Sequence, residues 1–372
     1  MIKKRILVIG ISHAIGGVET FLIGIFRNIN KEKIEMDFLT FWPVCAYERE
    51  LLQAGCHIYH FTRRGQNPIK NYFQLKKFFQ HNRKTYDYIW INLPSASNCL
   101  ANVLARKYTG AKIISHSHGS QLENQNDLSN IIHSFLHDKN KAKLLRCTNY
   151  CFACSKVASE WLFGKNCPKC IYIIKNGIDT KKFKFDNTVR DKYRKKLGLE
   201  HKLILGHVGR FTVVKNQKYI IEIFNCLHAI NKNTYLLLIG EGKNMQQIQD
   251  ETKFYHLENN ISFLGFRDDI SQLMQAMDIF LLPSLYEGFP LTAVEAQASG
   301  LPCFLSDSIS REVNITDLVQ RLSIKEAPAV WAKSINSTSC NLNRAAYASK
   351  VSEAGYDIKT TAKELENFFL TH

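Results

Sequence analysis

The sequence predicts an α/β protein built from two doubly wound domains, each a parallel sheet with helices on both faces. Three observations predict it. At 372 residues the chain exceeds one average domain and suits two of roughly 150–200 residues. Short apolar runs alternate with helix-length segments through most of its length. Those runs are apolar on both faces, as strands buried between two helix layers must be.

Taken in order, "RILVIG", "MDFLTF", "HIYHF", "YDYIWINL", "AKIISHSH", "YCFACS" and "CIYIIKNG" read as the strands of the first domain. A polar, basic stretch follows "NGIDTKKFKFD". Then "LILGHVGRF", "YLLLIGEG", "NISFLGF", "DIFLLPS" and "PCFLSDS" read as the strands of the second. The junction falls near Asn176-Gly177, giving domains over residues 1–177 and 178–357. From Ile315 onward the signal weakens, and "AYASKVSEAGYDIKTTAKELENFFLTH" reads as two helices.

Composition narrows the class. Hydrophobic residues make up 45% and charged residues 22%, as in a folded soluble protein and not a disordered one. No run approaches the ~18 apolar residues of a membrane span. The start, "MIKKRILVIGISHAIGG", is basic and then apolar, but Ser12-His13 and the lack of a small-residue cleavage site favour a first strand over a signal peptide. Eleven cysteines, an odd number without a framework, point to a reducing cytoplasm. The net charge of +16 is uneven: up to Thr180 there are 25 Lys+Arg against 12 Asp+Glu, and beyond it 24 against 21. A basic half attracts nucleic acid, anionic lipid headgroups or an anionic substrate. No RGG tract, zinc-finger spacing or aromatic RNA-binding signature singles out nucleic acid, so an anionic membrane surface or acceptor is the main reading of the charge and solubility alone the plainer one.

Ligands of such sheets bind beyond the carboxyl ends of the strands. "GISHAIGGVET" places Gly16 and Gly17 there, before a helix starting near Val18, and lets the backbone approach a ligand closely. "VGRFTVVKN" places Arg210 and Lys215 in one loop after the first strand of the second domain. "SLYEGFPLTAVEAQASG" brackets a short helix, with Pro290 suited to its first position and Gly300 to its stop. Its N-terminus suits an anion such as a phosphate. Glu287 and Glu295, eight positions apart, suit hydroxyl groups such as those of sugars; one buried and one solvated glutamate is the plainer reading. His116 and His118 alternate on a strand end and share a face. Cys151-x2-Cys154 and Cys167-x2-Cys170 come close to zinc-ribbon spacing. Residues three apart on a strand point to opposite faces, however, which argues against a shared ion.

Together these segments resemble glycosyltransferase family 4, the retaining, nucleotide-sugar-dependent enzymes of the GT-B fold. The motifs are "GGVE", "HSHGS", "ACS", "NGID", "GRF" with Lys215, "GEG", "FLGFRDD" and "PSLYEGFPLTAVEAQASGLP", in the family's order over residues ~5 to ~312. The bacterial capsule and exopolysaccharide branch is the most similar. The resemblance implies two Rossmann-like domains facing a central cleft, the first on the acceptor side and the second binding the nucleotide sugar. A last helix, about 358–372, would pack back on the first domain.

The resemblance also implies roles. Glu295 accepts hydrogen bonds from the ribose hydroxyls and Glu287 touches hydroxyls of the transferred sugar. Backbone groups of Gly288, Phe289, Pro290 and Leu291 meet sugar and diphosphate. Arg210 and Lys215, beside Gly209, carry the diphosphate charge as the bond breaks. Gly16 and Gly17 admit the donor phosphates, Gly265, Phe266 and Arg267 lie where the base is held, and His118 lies beside the donor sugar. A lone histidine is ordinarily a core residue, and His116 keeps that reading.

The implied donor is a UDP-sugar and the implied acceptor a polyprenyl-diphosphate-linked saccharide, with no cofactor and no metal. There is no Asp-x-Asp; the adjacent Asp268-Asp269 is its nearest approach. Residues 130–146, apolar with four cations, suit anionic headgroups at the inner face of the membrane, and equally an ordinary helix packed on the sheet. A GT-B sugar-nucleotide epimerase and a non-enzymatic basic anion- or nucleic-acid-binding protein are the alternatives. The sequence offers the epimerase no ring-proton base beyond the histidines.

Overall fold

A computed structural model describes residues 3–121, 128–339 and 343–372, with side chains from 131 onward in the helix that follows the first break. The chain divides into two compact units: residues 1–177 with 358–372, and residues 178–357.

The first unit alternates strand and helix throughout. It begins with β1 (Lys4–Ile11), α1 (Gly17–Asn28), β2 (Ile34–Thr40), α2 (Glu48–Gln53), β3 (Ile58–His60) and α3 (Pro68–His81). It continues with β4 (Tyr88–Leu93), α4 (Leu100–Tyr108), β5 (Lys112–Ser117), α5 (Leu128–Cys147), β6 (Tyr150–Ala153), α6 (Lys156–Phe163) and β7 (Ile171–Ile173). The seven strands pair in parallel in the order β3-β2-β1-β4-β5-β6-β7. β4 is buried along its whole length, which is why "YIWINL" carries no polar face. Local chemistry sets the helix ends. Asn67 caps α3 by accepting from the Lys70 amide, and Pro68 fills the first position, where no N–H is needed.

The second unit begins with α7 (Thr180–Phe183), α8 (Asn187–Leu197), β8 (Leu203–Val208), α9 (Gln217–Ile230), β9 (Thr234–Ile239) and α10 (Met245–Phe254). It goes on through β10 (Ile261–Phe263), α11 (Ile270–Ala276), β11 (Ile279–Leu282), α12 (Leu291–Ala298), β12 (Cys303–Ser306), β13 (Val319–Leu322), α13 (Pro328–Asn336) and α14 (Tyr347–Val351). Its six strands run parallel in the order β10-β9-β8-β11-β12-β13. The last helix, α15 (Ile358–Thr371), belongs to the first unit. Its Phe369 packs on Tyr88 and Trp90, and its Phe368 on Tyr150, Phe152 and Tyr172.

Two expectations are corrected. The second sheet does not end at "PCFLSDS": β13 adds an edge strand, none of whose residues is buried, so Gln320 and Arg321 on its two faces can break the apolar run. Pro290 is the N-cap of α12, not its first helical residue; its ψ of 106° is extended, and the helix starts at Leu291. The helix stops as expected. Gly300 has φ +68°, and a Cβ there would lie 2.6 Å from Arg344 Cα.

Cys151 and Cys154 are buried, Cys167 is half-buried and Cys170 is exposed. No three of these sulfurs gather within ligating reach of one another.

Candidate functional site

In the second unit the strand order reverses between β8 and β11. Loops at such a switch point diverge and leave a crevice. The loop after β8 is tied down on both sides. Gly209 N–H donates to the Ile239 carbonyl (3.0 Å) and Phe211 N–H to the Glu241 carbonyl (2.9 Å). This approach requires Gly240, at φ +130°, where a Cβ would fall 2.2 Å from Gly209 O. On the other side, Leu285 N–H donates to the Val214 carbonyl (2.8 Å) and the Asn216 side chain to the Pro283 carbonyl (3.2 Å).

This stitching brings Lys215 and Glu287 together across 72 residues of sequence. Their charged atoms are 2.5 Å apart, with side chains 19% and 14% exposed. Ser284 Oγ donates to the same Glu287 oxygen (2.8 Å), and Ser306 Oγ holds the Ser284 carbonyl (2.5 Å). Arg210 is exposed, and its guanidinium has no partner among the described residues. The loop thus offers one free cation and one held by a carboxylate.

Glu295, in the second turn of α12, is 9% exposed, and its carboxylate accepts no hydrogen bond among the described residues. Burial pushes its pKa up to about 7, with Lys182 opposing the rise. Gly265, at φ +64°, accepts from Gly240 N–H (2.9 Å), and Phe266 N–H donates to Glu241 (3.3 Å) while its ring stays 55% exposed. The Arg267 guanidinium forks onto Asp269, which also accepts from Tyr193. That fork and the Tyr193 bond hold the Asp269 carboxyl below the ordinary range, against its partial burial. Phe289 turns inward and stacks on Tyr356 (5.3 Å, 7°), so beside Gly288 only its backbone is left to face a ligand.

Two residues that flank and brace this loop carry no signal in the sequence. His207 is fully buried in β8, with Nδ1 2.9 Å from the Leu281 carbonyl. Gln217 Nε2 lies 3.3 Å from His207 Nε2 and donates to the Arg210 carbonyl (2.8 Å). Together they bridge β8, β11 and the cationic loop. An apolar strand containing one histidine gives no signal of this in sequence.

The first unit has its own switch point, between β1 and β4. Gly16 caps α1, and Gly17 is its first residue. The buried Glu19 closes the preceding loop by accepting from Ser12 N–H (3.0 Å). His116 and His118 do share a face, with ring centroids 4.0 Å apart. His116 is wholly buried, accepting from Trp90 Nε1 (3.2 Å) and packed edge-on against Phe21 and Phe152. His118 Nε2 lies 2.8 Å from Asn92 Oδ1, and the Asn92 amide donates to the Ile9 carbonyl. That assigns the hydrogen to Nε2 and leaves Nδ1 as a buried acceptor without a partner. Burial lowers the His118 pKa to about 3 and that of His116 well below its ordinary value, so both rings are neutral at neutral pH.

Two family profiles cover most of the chain: "Glycosyltransferase Family 4" over residues 15–182 and "Glycosyl transferases group 1" over 189–353. The chain is 30% identical over 376 residues to EpsF of Bacillus subtilis (strain 168), a relative named as a glycosyltransferase, covering 99% of this chain and 96% of that one. The chain belongs to glycosyltransferase family 4. This glycosyltransferase is also 26% identical over 312 residues to the N,N'-diacetylbacillosaminyl-diphospho-undecaprenol alpha-1,3-N-acetylgalactosaminyltransferase of Campylobacter jejuni, covering 80% and 79% of the two chains. In fold it matches the Anabaena HepE protein crystallised with UDP and glucose, with TM-score 0.80, 21% identity and coverage of 99% and 100%. Transferase chemistry is therefore favoured over the epimerase and the non-enzymatic alternatives.

Proposed function

We propose that the enzyme moves a sugar from a UDP-sugar to a saccharide carried on a polyprenyl diphosphate, with retention of anomeric configuration and without a divalent metal. The product would be a capsular polysaccharide or exopolysaccharide. The observation that carries this reading is the contact of Lys215 with Glu287 beside the unpartnered Arg210. Two cations at one switch point match the charge of a nucleoside diphosphate leaving group, and preorganised charge stabilises it without rearrangement during bond cleavage. The Lys215 ammonium then passes from Glu287 to the diphosphate, which frees the carboxylate for hydroxyls of the sugar. Glu295 lacks a donor, as an acceptor for ribose hydroxyls should. The buried Nδ1 of His118 is a free acceptor of the kind a sugar hydroxyl would satisfy. The UDP and glucose of the Anabaena protein and the diphospho-undecaprenol of the Campylobacter enzyme support the substrate classes.

A cytoplasmic enzyme meeting such an acceptor works at the inner face of the membrane. Among the described residues no helix is long and apolar enough to cross a membrane. α5 instead exposes Ile131, Ile132 and Phe135, with the Lys139 ammonium 4.3 Å above the Phe135 ring. An apolar stripe with a cation beside it suits an anionic lipid surface. The test is calorimetric titration with uridine nucleotides, followed by assignment of the product's anomeric configuration by NMR. Binding of UDP and an anomer matching the donor are expected. Absence of any uridine nucleotide binding, or an inverted product, overturns the reading.

A further inference from the structure

A cluster in the first unit is built from side chains that carry no role so far, one of them in the loop that leads to Gly16 and Gly17. Loops that follow the neighbouring strands β1, β2 and β3 meet at Trp42. The His13 ring lies 3.8 Å from the indole, centroid to centroid, and the Arg63 guanidinium carbon sits 4.1 Å above it.

The backbone around these side chains is fixed. Ala46 N–H donates to the Ser12 carbonyl (2.7 Å), and Thr40 Oγ1 to the Ile11 carbonyl (2.8 Å). Thr62 is held through its amide by Gln74 (2.9 Å) and through its carbonyl by Asn71 (2.7 Å). The Arg63 carbonyl accepts from the amides of Gln66 and Asn67.

The Arg63 guanidinium is treated differently. It is half-buried, yet among the described residues it has no hydrogen bond and no ion pair. Arg190, Arg194 and Arg267 are each tied to a carboxylate, and Arg344 to backbone carbonyls. Glu48, a carboxylate on a neighbouring loop, is occupied by the Cys45 amide (2.7 Å) and faces His60 (3.7 Å). The contact with the indole holds the guanidinium in place without consuming any of its five donors, which leaves them free for phosphate oxygens. The cluster also stands beyond the carboxyl ends of the strands, in the half of the chain with the large cation surplus.

We propose that Arg63, seated on Trp42, whose indole also packs against His13, is an anion subsite that grips the diphosphate of the acceptor. This rests on the reading of the acceptor as a diphosphate-linked saccharide. Its residues are not those that would serve the donor, Arg210 and Lys215.

The test uses the full chain with its nucleotide site saturated by UDP, and farnesyl diphosphate as the probe. Arg63→Ala should weaken the probe about tenfold or more, Arg63→Lys should recover part of the loss, and the UDP affinity of both variants should match the parent. A second arm measures pelleting with phosphatidylglycerol vesicles, which Arg63→Ala should leave unchanged. Probe affinity unaltered by Arg63→Ala overturns the proposal. So does an equal loss in the vesicle arm, which would make the site a receptor for lipid headgroups. UDP-sugar hydrolysis is followed in parallel. If hydrolysis persists while the probe result fails, the subsite falls and the transferase reading stands. If the probe result holds and no UDP-sugar is consumed, the donor reading falls and the subsite stands.

Discussion

Over six strands the two units share a strand order, and in both that order reverses beside the first strand, yet what they place at that point differs in kind. At β8/β11 the second unit sets an ammonium against a carboxylate, with a free guanidinium in the same loop and a buried glutamate in α12. At β1/β4 the first unit sets a glycine-capped helix and two neutral histidines, one buried and one half-buried. The fold dictates where a ligand can sit; the loops decide what charge it meets. Preorganised charge is what stabilises a departing diphosphate, while neutral acceptors and bare backbone suit hydroxyls and close approach. On the reading proposed here, the second unit carries most of the rate enhancement and the first carries orientation.

The largest effect that should follow is at Lys215. Lys215→Ala should cut turnover on the order of 10²–10³-fold, as removal of one preorganised charge does. A steady-state rate within tenfold of the parent would place the burden elsewhere. In the same assays, excess chelator should leave turnover unchanged. Restoration by magnesium or manganese after chelation would show that protein cations do not suffice.

The next effect concerns Glu295 and its pKa of about 7. The protonated form cannot accept through both oxygens, so UDP affinity should fall as pH drops below about 7, and Glu295→Gln should flatten that profile. Stability runs the other way. The folded pKa is raised above the ordinary glutamate value of 4.5, so this group's contribution is fully present below pH ~4.5 and lost as pH rises through about 7. Thermal unfolding at pH 5 and pH 8 should show Glu295→Gln gaining at the higher pH only; a gain at both would mean that burial is not the cause.

The smallest effect belongs to the neutral site. His118→Asn should lower turnover about tenfold, the cost of one hydrogen bond, without altering the pH profile between 5 and 8, because the imidazole is uncharged throughout that range. A new pH dependence in that variant would make the histidine an acid or base and erase the contrast between the units.

How much of this could be read from sequence depends on how far apart the interacting residues lie. Parallel strands such as "YIWINL" announce themselves because both faces are buried; β13 does not, because Gln320 and Arg321 stand on an edge. The cations of the β8–α9 loop were legible as residues. The fate of Lys215 was not, since its partner is set by the stitching of Leu285 to Val214. The family resemblance puts Arg267 near the base, yet its side chain is spent two residues away on Asp269. The meeting of His13, Trp42 and Arg63 had no sequence signal, because three separate strands bring it about.

The last helix has a consequence for how the protein is made. α15 seals the aromatic seam formed by Tyr88, Trp90, Tyr150 and Phe152, although it is translated about 180 residues after β7. At roughly 5–20 residues per second, a ribosome leaves that seam uncovered for about 10–35 s. Throughout that interval the second unit can fold as a continuous segment, while the first, begun earlier, finishes later. Chaperone occupancy on nascent chains should therefore persist on the first unit until the tail emerges.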